Sequence, residues 1–517
     1  MLNNIPILSL LIWLPIIGAG IIVFGTGQKH KQATQWIALI TAMITFILSL
    51  IALNEFDSSR YYLQFLEDKS WIDSLNIRYS LGVDGISLPL IVLTSLMTMI
   101  VIISSWNQVK LRVSHYLAAF LTMCGLMNGV FASTDAILFY VMWEAMLVPM
   151  FLIIGIWGGP NRIYATLKFF IYTFFGSVFL LIALIYLGIQ AGSEASGANF
   201  NIFDMHSLVI DADTQKLLFF AFLIAFAIKV PMWPVHTWLP DAHVQAPTGG
   251  SVILAAIMLK MGTYGFLRFM LPIVPDASFE MANFMIVLSL VAVAYIGFVA
   301  LAQTDMKKLI AYSSIAHMGF VTLGLFISFS LVANNHVEAA VMGIQGALIQ
   351  MISHGFISGA LFLCIGILYE RVHSREIGDY GGVVNVMPKF AMYFMLFSMA
   401  NAGLPGTSGF VGEFMVILAS FQVSFWIAAI AGLTLILAAA YTLWMYKRVM
   451  FGDISNDKVS AMEDIDLREK IVLVSLALLV LLFGLWPAPL LDVMQPSVQH
   501  LIDCNLVSKL SAEGMCS

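Results

Sequence analysis

Charge is what this sequence has least of. Lys, Arg, Asp and Glu make up 10% of its 517 residues, against roughly a quarter in a soluble domain, so water is not its main solvent. Cysteine is scarce too. Cys124, Cys364, Cys504 and Cys516 lie far apart and form no CxxC pattern, which argues against an iron–sulfur or zinc centre. Cys504 and Cys516 can pair only if the C-terminal tail faces an oxidising space. No run of Lys or Arg exists to track nucleic acid, and a net charge of -6 is spread too thinly to select a partner. There is no dinucleotide-binding glycine fingerprint, P-loop or nucleophile elbow. The first apolar stretch has no basic flank and no small-residue cleavage site, so it reads as a membrane helix and not a signal peptide.

What remains is apolar: 60% of residues are hydrophobic and the mean hydropathy is +0.93. Windows of about 20 apolar residues give about fourteen spans. They centre near Pro15, Met43, Thr94, Cys124, Met146, Val178, Ala227, Leu259, Ala292, His317, Met351, Leu404, Leu435 and Leu479. Their length and lack of alternation predict an all-α polytopic membrane protein, not a barrel. Lys and Arg are unevenly shared. Loops after odd-numbered spans hold 16, among them Lys110, Lys168, Lys307, Arg371 and Arg375; the opposite loops and tails hold six, Arg60, Lys69, Arg78, Lys216, Arg268 and Lys509. The positive-inside rule then puts the odd loops in the cytoplasm and both termini outside. Two lysines, Lys229 and Lys260, fall inside spans.

Proline and glycine punctuate two spans. Span seven carries Pro231 and Pro234 directly after Lys229, and span twelve reads "NAGLPGTSGFVGEF". Proline removes a helical hydrogen bond, so both helices should break at mid-depth. Each break falls in the fourth helix of a five-helix set, which predicts two inverted repeats, each with a broken helix. The resulting division is an N-terminal three-helix segment at 1–110 and repeats at 111–272 and 273–452. A loop, last span and outward tail occupy 453–517.

Six titratable residues lie deep in separate spans. Glu144 is nine residues past Asp135, about 13 Å along a helix. Lys229, Lys260, His317, His354 and Glu413 lie at a similar depth. A single one reads equally as a structural ion pair or a satisfied core histidine. Six at one level are harder to treat so, because an unpaired charge there costs on the order of 2.5–3.5 kcal/mol or more. Acid, base and imidazole in alternation suit proton transfer. Two other chemistries are open to the same residues. Axial haem ligation by His317 and His354 is disfavoured, since each helix offers one histidine at this depth. Na⁺ binding fits poorly with two lysines and two histidines. Past the first break, His236, Asp241 and His243 sit near the rim; they either line proton entry or cap and hydrate the helix end.

The stretches "LGVDGISLPLIVLT", "FYVMWEAMLVPMFLI", "KVPMWPVHTWLPDAHVQAPTGGSVILAAIMLKMGTYG", "DMKKLIAYSSIAHMGF" and "NAGLPGTSGFVGEF" resemble the antiporter-like membrane subunits of proton-pumping NADH–quinone oxidoreductase, respiratory complex I. The similarity runs over essentially the whole chain. Glu413 stands where the paralogous chains L and N generally have lysine, and the chain ends soon after span fourteen without the long lateral helix of chain L. Mrp-type cation/proton antiporter subunits share the fold and are the alternative. The resemblance implies Glu144 and Lys229 as an ion pair, Lys260 as central proton carrier, His317 and His354 as lateral relays, and Glu413 as the end of the path. It implies no cofactor in this chain, with FMN, iron–sulfur clusters and quinone chemistry in partner subunits. The implied partners are the other membrane subunits, chains L and N among them, together with membrane lipid. Span four, Tyr116 to Phe131, lacks the acidic residue that the family often has there.

Overall fold

The computed structural model describes residues 5–26, 30–193, 197–506 and 508–510. Among them, eleven helices are long and apolar enough to cross a membrane. The number is twelve if Leu467–Leu485 and Ala488–Cys504, bent by 65°, form one span. Spans seven and twelve of the sequence reading are each built from two shorter helices. The first is Ala212–Lys229 with Trp238–Gln245, and the second Pro388–Asn401 with Ser408–Val423. Proline explains the first interruption, since neither Pro231 nor Pro234 has an amide to donate. The second turns through Gly403 and Gly406 at φ 75° and 89°, a left-handed conformation that glycine adopts without steric cost.

Three features depart from the sequence reading. An antiparallel hairpin, Gln64–Ile72 paired with Ile77–Val83, connects spans two and three, so the chain is not wholly helical. Arg268, assigned above to an outer loop, lies inside the continuous helical run Thr248–Ile273. It is buried there against Asp84 at 2.7 Å. Lys307, also assigned to a loop, is buried in the first turn of Met306–Ala333 and donates to the Ala246 carbonyl at 2.8 Å. Charges that find partners are carried within the helices instead of being pushed to the loops. Cys124 and Cys364 are buried free thiols. The Cys504–Cys516 pairing cannot be described, because Cys516 lies outside the described residues.

The helices differ in what surrounds them. The apolar windows of Thr248–Ile273 and Val337–Val372 are wholly buried, whereas those of Arg162–Gln190 and Ala282–Leu301 are 39% and 50% buried. Phe175, Ile182, Val287 and Phe298 face outward from the latter two, as lipid-facing residues do. The polar candidates therefore sit on the central helices. Aspartates start several of these elements: Asp135 and Asp305 each accept two amide hydrogens of the first turn, which satisfies donors that have no helical partner. Close approach needs small residues. A Cβ on Gly412 would come within 2.9 Å of the Gly346 carbonyl and the Gln350 backbone, so glycine lets the helix carrying Glu413 lie directly on Val337–Val372.

Candidate functional site

Four of the six deep titratable residues form one contact series. Lys260 lies in Leu259–Gly265, a short α-helical segment between π-helical turns at Leu254–Met258 and Phe266–Met270. Its Nζ is 2.5 Å from the Ala255 carbonyl and 2.6 Å from His354 Nδ1. The His354 ring stands 5.7 Å from the His317 ring, centroid to centroid. His317 Nδ1 is 2.7 Å from Oε1 of Glu413, the sixth residue of Ser408–Val423. None of the four side chains is in a residue more than 3% exposed. The series runs Lys260, His354, His317, Glu413.

Its chemistry follows from the atoms. Imidazole Nδ1 either donates or accepts according to tautomer. A Lys260 ammonium donates to it; a Lys260 amine accepts from it. The 2.6 Å contact can thus persist whichever partner holds the proton. At the other end, the Glu413 carboxylate accepts from His317 Nδ1–H and from Gln350 Nε2–H, the latter at 3.0 Å. His354 Nε2, His317 Nε2 and Glu413 Oε2 have no hydrogen-bond partner within the protein. The outer nitrogens of both rings are therefore uncommitted. Among the described residues, no group of three or more His, Cys, Asp or Glu side chains is arranged to hold a metal ion.

The Glu144–Lys229 pair is arranged differently. Both residues lie at helix ends: Glu144 in the last turn of Ala136–Ala145, and Lys229 as the last residue of Ala212–Lys229. They make no salt bridge. Lys229 Nζ and Glu144 Oε1 both lack a hydrogen-bond partner, and Nζ stands 4.8 Å from the centroid of the Trp143 ring. The expected ion pair is open here, with an aromatic face taking the place of the carboxylate. Lys229 is buried and Glu144 is half-buried. The helices carrying the two lysines pack closely, since a Cβ on Gly262 would meet Lys229 and Val230 atoms at 2.7–3.0 Å.

At the rim the three candidates separate. Asp241 is bound to Lys168 at 2.7 Å and remains partly exposed. His236 is 6.4 Å from Tyr312, ring to ring. His243 is completely buried, stacked on Phe362 at 4.5 Å, with neither ring nitrogen partnered. Of the three, His243 reaches furthest into the core.

A family model described as NADH:quinone oxidoreductase/Mrp antiporter, transmembrane region, matches residues 133–438, a stretch that contains all six deep residues. NADH-quinone oxidoreductase subunit M of Rhodobacter capsulatus is 49% identical over 506 residues, covering 96% of each chain. NADH-ubiquinone oxidoreductase chain 4 of Arabidopsis thaliana is 41% identical over 499 residues, covering 96% of this chain and 97% of its own. This chain belongs to that family. A chain in the respiratory complex I structure from Thermus thermophilus superposes with a TM-score of 0.86 at 28% identity, over 97% of this chain and 100% of that one. A chain of the Mrp complex from a Dietzia species shares the fold, with a TM-score of 0.82 at 19% identity over 96% and 97%. In this antiporter-like family member, the sequence reading missed two neighbours of the deep residues. Gln350 lies one turn before His354, and its position beside Glu413 depends on the Gly412 contact. Trp143 directly precedes Glu144, but nothing in the spacing says that its ring faces Lys229.

Proposed function

We propose that this chain is the proton-translocating subunit M of a bacterial inner-membrane NADH–quinone oxidoreductase, with both termini outward. In this reading it lies beside the antiporter-like chains L and N, with FMN, iron–sulfur clusters and quinone held by partner subunits. The observation that carries the reading is the buried series from Lys260 through His354 and His317 to Glu413. Its two ends are joined by contacts of 2.6 and 2.7 Å, between groups that can each give or take a proton.

The sequence of events follows from charge. While Glu144 pairs with Lys229, the lysine charge is compensated and Lys260 keeps its proton. When a conformational signal separates the pair, the bare Lys229 ammonium repels a protonated Lys260. Two unit charges about 7 Å apart at an effective dielectric near 20 interact by roughly 2 kcal/mol. Lifting one proton against 100 mV requires about 2.3 kcal/mol, so the repulsion is of the right size with little excess. Lys260 passes its proton to His354 Nδ1, rotation of an imidazole carries it to His317, whose ring centroid is 5.7 Å away, and Glu413 receives it. The two broken helices, Ala212–Lys229 with Trp238–Gln245 and Pro388–Asn401 with Ser408–Val423, bring Lys229 and Glu413 close to helix ends at mid-chain breaks, where backbone can adjust.

The test is Lys229→Ala or Glu144→Ala in the assembled complex. NADH oxidation by an artificial electron acceptor should persist, showing that the complex is intact. Proton pumping and quinone-coupled NADH oxidation should fall by at least about tenfold. Normal pumping in either variant refutes the scheme. Recovery of the chain as a free antiporter, without an FMN-containing NADH-oxidising assembly, would point to the Mrp-type alternative.

A further inference from the structure

Lys229 has few acceptors within reach because its own helix end is already satisfied. The Phe226 carbonyl accepts from Val230 N–H at 2.8 Å, that of Ala227 from Met232 N–H at 2.7 Å, and that of Ile228 from Trp238 Nε1–H at 2.8 Å. What the ammonium faces is the Trp143 indole, 4.8 Å away. The ring is fixed. Trp143 is 1% exposed, with Phe139 at 5.5 Å and Phe226 at 5.9 Å from it. Phe226 sits one turn before Lys229, so a single ring braces both the indole and the helix that carries the lysine. Glu144 is the next residue after Trp143. It is half-buried, and its helix gives way at Met146 to Leu147–Trp157.

We propose that Trp143 is a positioning residue whose ring face holds the Lys229 ammonium in the separated state, in competition with Glu144. This rests on the reading of Glu144 and Lys229 as the gating pair. The ring attracts the ammonium through the negative charge of its face and takes no proton, so it keeps Lys229 charged when the carboxylate moves away. The lysine therefore alternates between two neighbouring residues of one helix. One is a rigid aromatic face and the other a half-buried carboxylate. Without the ring, the separated state leaves a buried cation with nothing facing it, and the pair stays closed.

Site-specific incorporation of 5-fluoro-, 5,7-difluoro- and 4,5,6,7-tetrafluorotryptophan at position 143 weakens the ring's negative face with little change in shape. The assembled complex is assayed in membranes for NADH-driven proton uptake, normalised to NADH oxidation by an artificial acceptor. The expected result is a stepwise fall reaching roughly fivefold to tenfold across the series, with Trp143→Phe retaining more activity than Trp143→Leu. A flat fluorination series, even if Trp143→Leu is inactive or fails to assemble, overturns the proposal and leaves the ring as packing. Full pumping in Trp143→Leu overturns it as well. Full pumping in Lys229→Ala would instead remove the gating reading beneath it, so the two failures are distinguishable.

Discussion

Lys229 and Lys260 are buried alike, 2% and 0% exposed, yet they keep opposite company. Lys260 touches a carbonyl and an imidazole nitrogen at 2.5 and 2.6 Å, and beyond that imidazole stand a second ring and a carboxylate. Lys229 touches no acceptor and faces an indole, and one oxygen of the carboxylate one residue further on, Glu144 Oε1, is also without a partner. The first has somewhere to send a proton. The second has only its charge to offer, directed at one partner or another. Burial alone therefore does not define a proton carrier; the next acceptor does. On the proposed reading Lys260 conducts and Lys229 gates.

Arginine separates the two roles most sharply, because it carries the charge but does not give up its proton. Lys260→Arg should lower pumping by about a hundredfold, the scale of a lost acid–base group. Lys229→Arg retains a cation able to lie over the Trp143 ring and pair with Glu144, so a substantial fraction of pumping should survive. Equal losses in the two variants would erase the distinction between carrier and gate. Proton uptake in membranes, normalised to complex content, measures both.

The far end of the series gives an intermediate effect. Glu413→Gln keeps an oxygen to accept from His317 but cannot take up a proton, so pumping should fall by roughly tenfold while the complex still assembles. Gln350→Leu removes one donor to the same carboxylate. A hydrogen bond to a charged group is worth about 1.5–3 kcal/mol, which sets a ceiling. A threefold to fivefold loss is expected, with assembly again intact. If Gln350→Leu is as damaging as Glu413→Gln, the amide conducts and does not merely steady the acid.

Much of this was legible because single polar residues stand out in apolar runs. Lys229, Lys260, His317 and His354 could be found by depth alone, and the breaks by Pro231, Pro234 and the glycines from Gly403 to Gly412. Partners were less legible. Glu413 meets His317 across 96 residues of chain and Gln350 across 63, and spacing within a span does not report such distances. The order of the two histidines depends on which ring faces Lys260. Arg268 looked like a loop residue because a charge ended the apolar window, although its pairing with Asp84 lets the helix continue. The hairpin Gln64–Val83 escaped notice because windows tuned to spans pass over the segments between them. Whether Lys229 meets Glu144 or Trp143 is a matter of side-chain direction, which no periodicity records.

The rim offers the smallest effect and a third point of comparison. Asp241 looks like an entry acid, but its carboxylate already holds Lys168 at 2.7 Å, with the two side chains 32% and 18% exposed. An ion pair so near solvent contributes about 1 kcal/mol or less, and its carboxylate is engaged by a cation and not aimed along a path. Asp241→Asn should therefore leave both stability and pumping within about twofold of the unaltered chain. His243 is the contrasting case, fully buried, with both nitrogens uncommitted. If Asp241→Asn instead lowers proton uptake by tenfold with the complex intact, entry begins at the Lys168–Asp241 pair. The conductor would then start outside the Lys260 series, and the contrast between a conducting lysine and a gating one would have to include a third, rim-bound lysine that does some of each.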